Sequence, residues 1–326
     1  MPIIGRRTLG AAVAALLASA APAGAQTAVT LTHSSALNGH YGLGAQAFKE
    51  HVERATNGRH RVTIQRNDNE REAIESTQLG TQEFTVTSTG PVGNFVPEAR
   101  VVDVPFLFRD YAHARGVLDG PIGQELLAKF PPRGLIAVAW MENGFRHLTT
   151  GRREVSGPAD MRGLKIRTME NPVHMRAFQA LGALPTPIAF SELPPALQQG
   201  TVDGQENPIP VILVNNFNQL QRNLILTGHV YSPGLLLASP AFWNKLSGAD
   251  KAVFQEAAQA AVRANRAKVE ADERDGVDEL RRRGMNVRTD PDRAAFQAAM
   301  ASVMPAYERE FGADTLRRIR DWRPGS

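Results

Sequence analysis

The sequence predicts an α/β protein of two domains braced by one very long helix. Three observations carry this. Strand-like and helix-like segments alternate along the chain in two successive sets. At 326 residues the chain is long enough to bury two cores without help from other stabilising chemistry. From Ser247 to Gly284 apolar residues recur at helical spacing over a length that a single domain of ~120 residues does not span.

The first residues stand apart from the fold. Arg6-Arg7 is a short basic region, Leu9 to Ala21 is apolar and small, and Ala23-Gly24-Ala25 matches a small-residue cleavage site before Gln26. This predicts a signal peptide over residues 1–25, cleaved after Ala25, and hence export to the periplasm. Arg6-Arg7-Thr8-Leu9 partly matches a twin-arginine signal, so either export route is compatible.

The first set of elements begins with a strand at Val29–Thr32. A helix from Tyr41 to Ala55 carries Leu43, Ala47, Phe48 and Val52 on one face and stops at Asn57-Gly58. A strand at His60–Gln65, a helix at Glu70–Gln78 and a strand at Phe84–Thr87 follow, the last ending in Ser88-Thr89-Gly90-Pro91. A helix over Ala112–Lys129 leads to a strand at Leu135–Trp140. The second set has a strand at Leu164–Arg167, helices at Pro172–Leu181 and Leu193–Gln199, and short apolar strands at Leu224–Leu226 and Leu235–Leu237. In the long helix Ser247 is the expected N-cap, and Val253, Phe254, Ala257, Ala258, Ala261 and Val262 form the apolar stripe. A break at Asp275-Gly276 is the competing reading. A last amphipathic helix, Asp292 to Phe311, is expected to close the chain.

Composition excludes several classes. The chain has 37 basic and 33 acidic residues; without Arg6 and Arg7 the balance is 35 against 33, too even for a nucleic-acid or membrane surface. It has no cysteine, which removes disulfides, thiolate metal sites and cysteine nucleophiles. No further long apolar run is present. The eight histidines are scattered without metal-ligand spacing, and no nucleophile elbow, zinc-protease helix, P-loop or dinucleotide fingerprint occurs. Neither an enzyme nor a cofactor or metal is therefore expected.

Binding residues are easier to find. Gly163-Leu164-Lys165-Ile166-Arg167 puts an arginine at the end of an apolar strand, where its planar fork can hold a carboxylate by two parallel hydrogen bonds. Arg146 lies at the junction of the two sets. If both guanidinium groups converge in a cleft between domains, they hold an anion more tightly than water would allow. Phe190 reads equally as core or as a cleft aromatic. Asn207 precedes Pro208, which disfavours helix and places an amide at a strand end. Ser88 and Thr89 sit at a strand-to-helix turn whose backbone N–H groups can face an anion.

The run from Gly163 to Pro208, with Ala189-Phe190-Ser191-Glu192-Leu193 and Asp203-Gly204-Gln205-Glu206-Asn207-Pro208, closely resembles the signature of the DctP-type solute receptors of TRAP transporters. Ser88-Thr89-Gly90-Pro91, Val104 to Asp110 and Asn143-Gly144-Phe145-Arg146 match as well. The resemblance implies a periplasmic-binding-protein fold with mixed sheets and a long helix spanning both domains. It implies domain I at 26–143 plus about 233–272, and domain II at 144–232 plus about 273–326. It implies a receptor that closes on a small organic acid, such as a C4-dicarboxylate or a sugar acid, and delivers it to the membrane permease subunits of a TRAP transporter. The family's principal carboxylate-binding arginine falls on Arg167, a second arginine on Arg146, the contact aromatic on Phe190, the amide on Asn207 and a first-domain contact on Ser88. One region departs: where the family has a proline and a Gln-Leu-Gly turn, this chain reads Gln65-Arg66-Asn67-Asp68-Asn69-Glu70 and is several residues shorter. A monomer is expected. The alternatives are a secreted enzyme acting on a hydroxy or sugar acid, and a receptor that reports to a sensor protein.

Overall fold

The computed structural model describes residues 26–325. The expected signal peptide and its cleavage site lie outside the described residues. Nine strands form one continuous mixed sheet: β1 Thr27–His33, β2 His60–Arg66, β3 Phe84–Ser88, β4 Ile136–Thr150, β5 Lys165–Thr168, β6 Leu184–Pro187, β7 Gly204–Pro208, β8 Asn223–Ala238 and β9 Asn286–Arg288. Their order is β2-β1-β3-β8-β4-β7-β5-β6, with β9 on β8. Both outer groups, β2-β1-β3 and β7-β5-β6, are parallel, while β8 and β4 between them run antiparallel to each other and to their neighbours β3 and β7.

The two central strands make this one sheet with two lobes. β4 and β8 pair from Ile136 opposite Ala238 at one end to Thr150 opposite Asn223 at the other. The apolar segments Leu224–Leu226 and Leu235–Leu237, expected as separate short strands, are therefore the two ends of one strand of 16 residues, and the strand expected at Leu135–Trp140 runs on to a length of 15. The sequence hides this because the crossing point is polar. Glu142 is fully buried there. It accepts hydrogen bonds from Arg115 Nε at 2.9 Å, Arg115 Nη2 at 2.6 Å and the Tyr231 hydroxyl at 2.9 Å. The register shifts between Glu142 and Gly144, and the Glu142 backbone is matched instead by Asn265 of the long helix, whose side chain accepts from its N–H at 2.7 Å and donates to its carbonyl at 2.9 Å. Gly144 takes φ +122° at this step, which a glycine can adopt without strain.

Each lobe buries both faces of its part of the sheet. In the first lobe Leu236 and Ala238 join Phe48, Phe84 and Phe254 on one face, and Leu235 and Leu237 join Leu118 and Phe130 on the other. Alternation along a strand buried on both sides accounts for the apolar run Leu235-Leu236-Leu237. In the second lobe Ile166, Phe178 and Ile225 form one cluster, and Leu193, Ile212 and Phe217 another.

The long helix runs unbroken from Gly248 to Arg282, 35 residues or roughly 50 Å. Ser247 caps it, accepting from the Asp250 N–H at 3.0 Å. Gly276 does not break it. A Cβ there would stand 2.5 Å from Leu213 and 2.6 Å from Ile209, so the glycine allows the close approach of the second-lobe helix Ile209–Val214. Two expected helices are divided. Gly120-Pro121 splits the stretch after Tyr111 into Tyr111–Asp119 and Pro121–Leu127, with proline starting the second piece. The helix expected over Asp292–Phe311 is two, Arg293–Ala301 and Met304–Phe311, and a further helix, Ala313–Asp321, follows. The fold does not end at Phe311. Tyr307, Leu316 and Ile319 pack with Leu118 and Phe130, so the last turns of a segment assigned by sequence to domain II lie against the first lobe. Gly116 leaves the room that Trp322 occupies there. Among the described residues no helix is long and apolar enough to cross a membrane.

Candidate functional site

Arg167 stands near the C-terminal end of β5, between Thr186 of β6 and Gln205 of β7. Such strand ends are where open α/β sheets present side chains to a ligand. Its Nε donates to the Ile188 carbonyl at 2.8 Å, and its guanidinium lies 5.9 Å from the centre of the Phe190 ring. Only 2% of the residue is exposed. Its Nη1 is buried without a partner. Burial, and then the charge of Arg146, lower its pKa to about 10, so it stays a cation at neutral pH. A buried cation with one edge anchored and a free donor is arranged to receive an anion.

Around it is a small cavity of about 20 Å³, far below the roughly 300 Å³ of an open ligand pocket. Arg167, Phe190 and Asn207 line it from the second lobe, and Ser34, Ser35, His40, Tyr41, Glu70 and Ser88 from the first. Asn143, at the crossing point of β4, and Met169, Val211 and Asn215 complete it. Four of the six expected site residues, Arg167, Phe190, Asn207 and Ser88, are thus brought together.

The other two have different work. Arg146 is fully buried and outside the cavity wall. Its Nε and Nη2 hold the Glu206 carboxylate at 2.5 and 2.9 Å, and Nη2 also donates to Asn207 Oδ1 at 3.1 Å. Burial would raise the Glu206 carboxyl, but Arg146, with His229 and His174, reverses this and holds it well below the usual carboxylate range. Both guanidinium groups keep a buried Nη1 without a partner, but the charge of Arg146 is neutralised by Glu206, whereas Arg167 has no carboxylate bound to it. Arg146 acts on the site by orienting Asn207. Thr89 points away and donates to Asp103 Oδ1 at 2.7 Å.

Glu70 is the acidic counterpart of Arg167 on the opposite wall. It begins the helix Glu70–Leu79, whose N-cap is Asn69. Its Oε1 accepts from Ser34 Oγ at 3.1 Å, Thr87 Oγ1 at 3.0 Å and the Ser88 N–H at 2.7 Å, and its Oε2 accepts from Ser88 Oγ at 3.1 Å. Sequence reasoning placed Glu70 at the end of a shortened turn and the start of a helix, but did not name it as a site residue. The signal that could have found it is the departure itself: a turn of Asn, Asp and Glu where the family has Gln-Leu-Gly. His40 and Asn143 were missed too. They hydrogen-bond to each other at 3.0 Å across the lobe, and burial lowers the His40 pKa to about 3, so its ring is neutral. The clue to Asn143 is the polar interruption of an otherwise apolar strand. Tyr41 and Ser35 each carry a buried hydroxyl with no partner.

The wall is thus one cation, one anion and a set of neutral hydroxyl and amide groups. Among the described residues no group of three or more metal-ligating side chains gathers. The buried histidines set an acid sensitivity. Burial lowers His33 to about 4 and His40, His147 and His174 to about 3. Groups with depressed folded-state values contribute stability that is present above the unfolded value near 6.5 and lost as pH falls toward the folded one. Asp103 and Glu273, raised by burial to about 7, work in reverse and lose their contribution as pH rises through that value. With four groups against two, the thermal midpoint is expected to fall between pH 7 and pH 4; melts followed by circular dichroism across that range check it, and a flat or rising midpoint on acidification refutes it.

Residues 31–310 match the family model for bacterial extracellular solute-binding protein, family 7. A solute-binding protein of Verminephrobacter eiseniae is 51% identical over 303 residues, covering 92% of this chain and 90% of its own. A TRAP periplasmic solute binding protein from Polaromonas sp. JS666, solved bound to D-erythronate, superposes with a TM-score of 0.89 at 51% identity, over 90% of this chain and 98% of that one. A second, from Bordetella bronchiseptica with density assigned to pantoate, gives a TM-score of 0.90 at 49% identity, over 91% and 100%. A family match over residues 31–310, on a two-lobed sheet with a buried cation, Arg167, at a cavity between the lobes, leaves one conclusion: the chain belongs to the DctP family of extracellular solute-binding proteins that serve TRAP transporters.

Proposed function

We propose that this receptor captures a small hydroxylated monocarboxylic acid in the periplasm and hands it to the membrane subunits of a TRAP permease, without chemical change to the ligand. The observation that carries the ligand class is the pairing of Arg167 with Glu70 across a small cavity. Arg167 offers its free Nη1 to the ligand carboxylate. Glu70 offers fixed acceptor lone pairs to hydroxyl groups and would repel a second carboxylate. Ser35, Tyr41 and Asn215 add neutral polar groups for the remaining hydroxyls. The relatives at about half identity, one bound to D-erythronate and one with density assigned to pantoate, support the same class. In this reading residues 26–143 with about 233–272 form the domain that carries Glu70, residues 144–232 with about 273–303 the one that carries Arg167, and the protein acts as a monomer after cleavage at Ala25.

A thermal-shift screen tests it. A ligand at 100 times its Kd adds about 2.7 kcal/mol, or about 5 °C for a chain of this size. D-Erythronate or pantoate is expected to give such a shift and succinate little. A shift with succinate that exceeds both would refute the ligand class.

A further inference from the structure

The three residues that follow Thr168 reach across to the first lobe. Met169 is 4% exposed and its sulfur lies 3.5 Å from Ser88 Oγ. The Glu170 carbonyl accepts from Asn94 Nδ2 at 2.9 Å. Asn171 Nδ2 donates to Asp103 Oδ2 at 2.7 Å, while Thr89 holds the other oxygen of the same carboxylate. The strand end that carries Arg167 is therefore seated on the first lobe within four residues of the arginine.

Gly90 is the surface on which it sits. A Cβ built at Gly90 would lie 2.5 Å from Met169 Sδ, 2.6 Å from its Cε and 3.0 Å from its Cβ. A real Cβ essentially never stands so close, so a side chain at 90 would make the flexible end of Met169 move away and would press on its stiff Cβ as well. The backbone does not require glycine, because Gly90 is in the short helix Thr89–Val92 and outside the positive-φ region. The three atoms nearest that Cβ all belong to Met169, a residue of the other lobe.

We propose that Gly90 is a notch that receives Met169 when the lobes close, making this pair a positioning device that brings the carboxylate held by Arg167 up to the Glu70 wall. The proposal rests on the reading of the cavity as the ligand site. A ligand that bridges the lobes binds the closed form, so anything that raises the free energy of closure weakens apparent affinity by the same factor. A side chain at 90 blocks the seat of Met169 while leaving each lobe intact.

The test uses the whole mature chain with D-erythronate as probe. Gly90→Ala is expected to weaken binding in calorimetry by about tenfold or more, with the thermal midpoint of the free protein unchanged or slightly raised, as for alanine in a helix. Shortening the knob as well, in Gly90→Ala/Met169→Ala, is expected to recover affinity relative to Gly90→Ala, a non-additive pair. Wild-type affinity in Gly90→Ala, or simple addition of the two losses in the double variant, overturns the notch. Because the chain has no cysteine, spin labels can be placed at the exposed positions Ala55→Cys and Gln199→Cys. If wild-type protein fails to bind D-erythronate, the ligand reading has failed and the labels decide the notch separately: Gly90→Ala is expected to lengthen the interlobe distances of the free protein, and an unchanged distribution overturns it.

Discussion

Replacing Arg167 with alanine is expected to abolish measurable binding of D-erythronate, and Arg167→Lys to retain little of it. The guanidinium is held by the Ile188 carbonyl and lies against the Phe190 ring, so its free edge is aimed before the ligand arrives. Little ordering cost remains at capture. Truncating one partner of a buried charge pair costs about 2–5 kcal/mol, which is roughly 30-fold to several-thousand-fold in Kd. Lysine restores the charge but supplies neither the second parallel hydrogen bond nor the planar face that stacks on Phe190. Isothermal calorimetry decides this, with circular dichroism to show that the variant is folded. Binding within threefold of wild type in Arg167→Ala would remove Arg167 from the site and with it the proposed ligand orientation.

The second large effect is on selectivity. In Glu70→Gln the amide oxygen can keep the three donors that now meet Oε1, namely Ser34, Thr87 and the Ser88 N–H. The amide nitrogen then takes the place of Oε2, where the Ser88 hydroxyl can turn to accept from it. The variant therefore keeps its fold while the wall changes from anionic acceptor to neutral donor. Hydrogen bonds to a charged group contribute about 1.5–3 kcal/mol. D-Erythronate is expected to lose about tenfold or more in affinity. Succinate, whose second carboxylate Glu70 repels, is expected to gain, so that the ratio of the two dissociation constants moves by at least thirtyfold on the ~1.4 kcal/mol per decade scale. An unchanged ratio would show that Glu70 does not read the distal end of the ligand.

Particular residues show how far a sequence carries such an argument. Arg167, Phe190, Asn207 and Ser88 were legible because they lie in or beside local patterns: an apolar strand with a terminal arginine, an amide before proline, a strand-to-helix turn. The six first-lobe and crossing-point residues His40, Tyr41, Ser34, Ser35, Glu70 and Asn143 were not, because no local pattern marks a polar residue as cavity-facing. Arg146 shows the limit from the other side. Its position near the crossing of the lobes is readable, but its partner Glu206 is 60 positions away and reaches it only through the pairing of β4 with β7.

The sequence by itself determined the alternation of strands and helices, the long helix with its Ser247 cap, the family and the arginine, Arg167, proposed to hold the carboxylate. These depend on periodicity, capping and short motifs, which act within a few residues of each other. Only the tertiary structure decided that the lobes share one sheet, that Arg146 is neutralised while Arg167 stays free, and that Glu70 faces it. Those outcomes depend on strand pairing between residues far apart in the chain and on which charges are buried together. Burial of a charge requires a partner, and the fold, not the local sequence, chooses which partner is within reach.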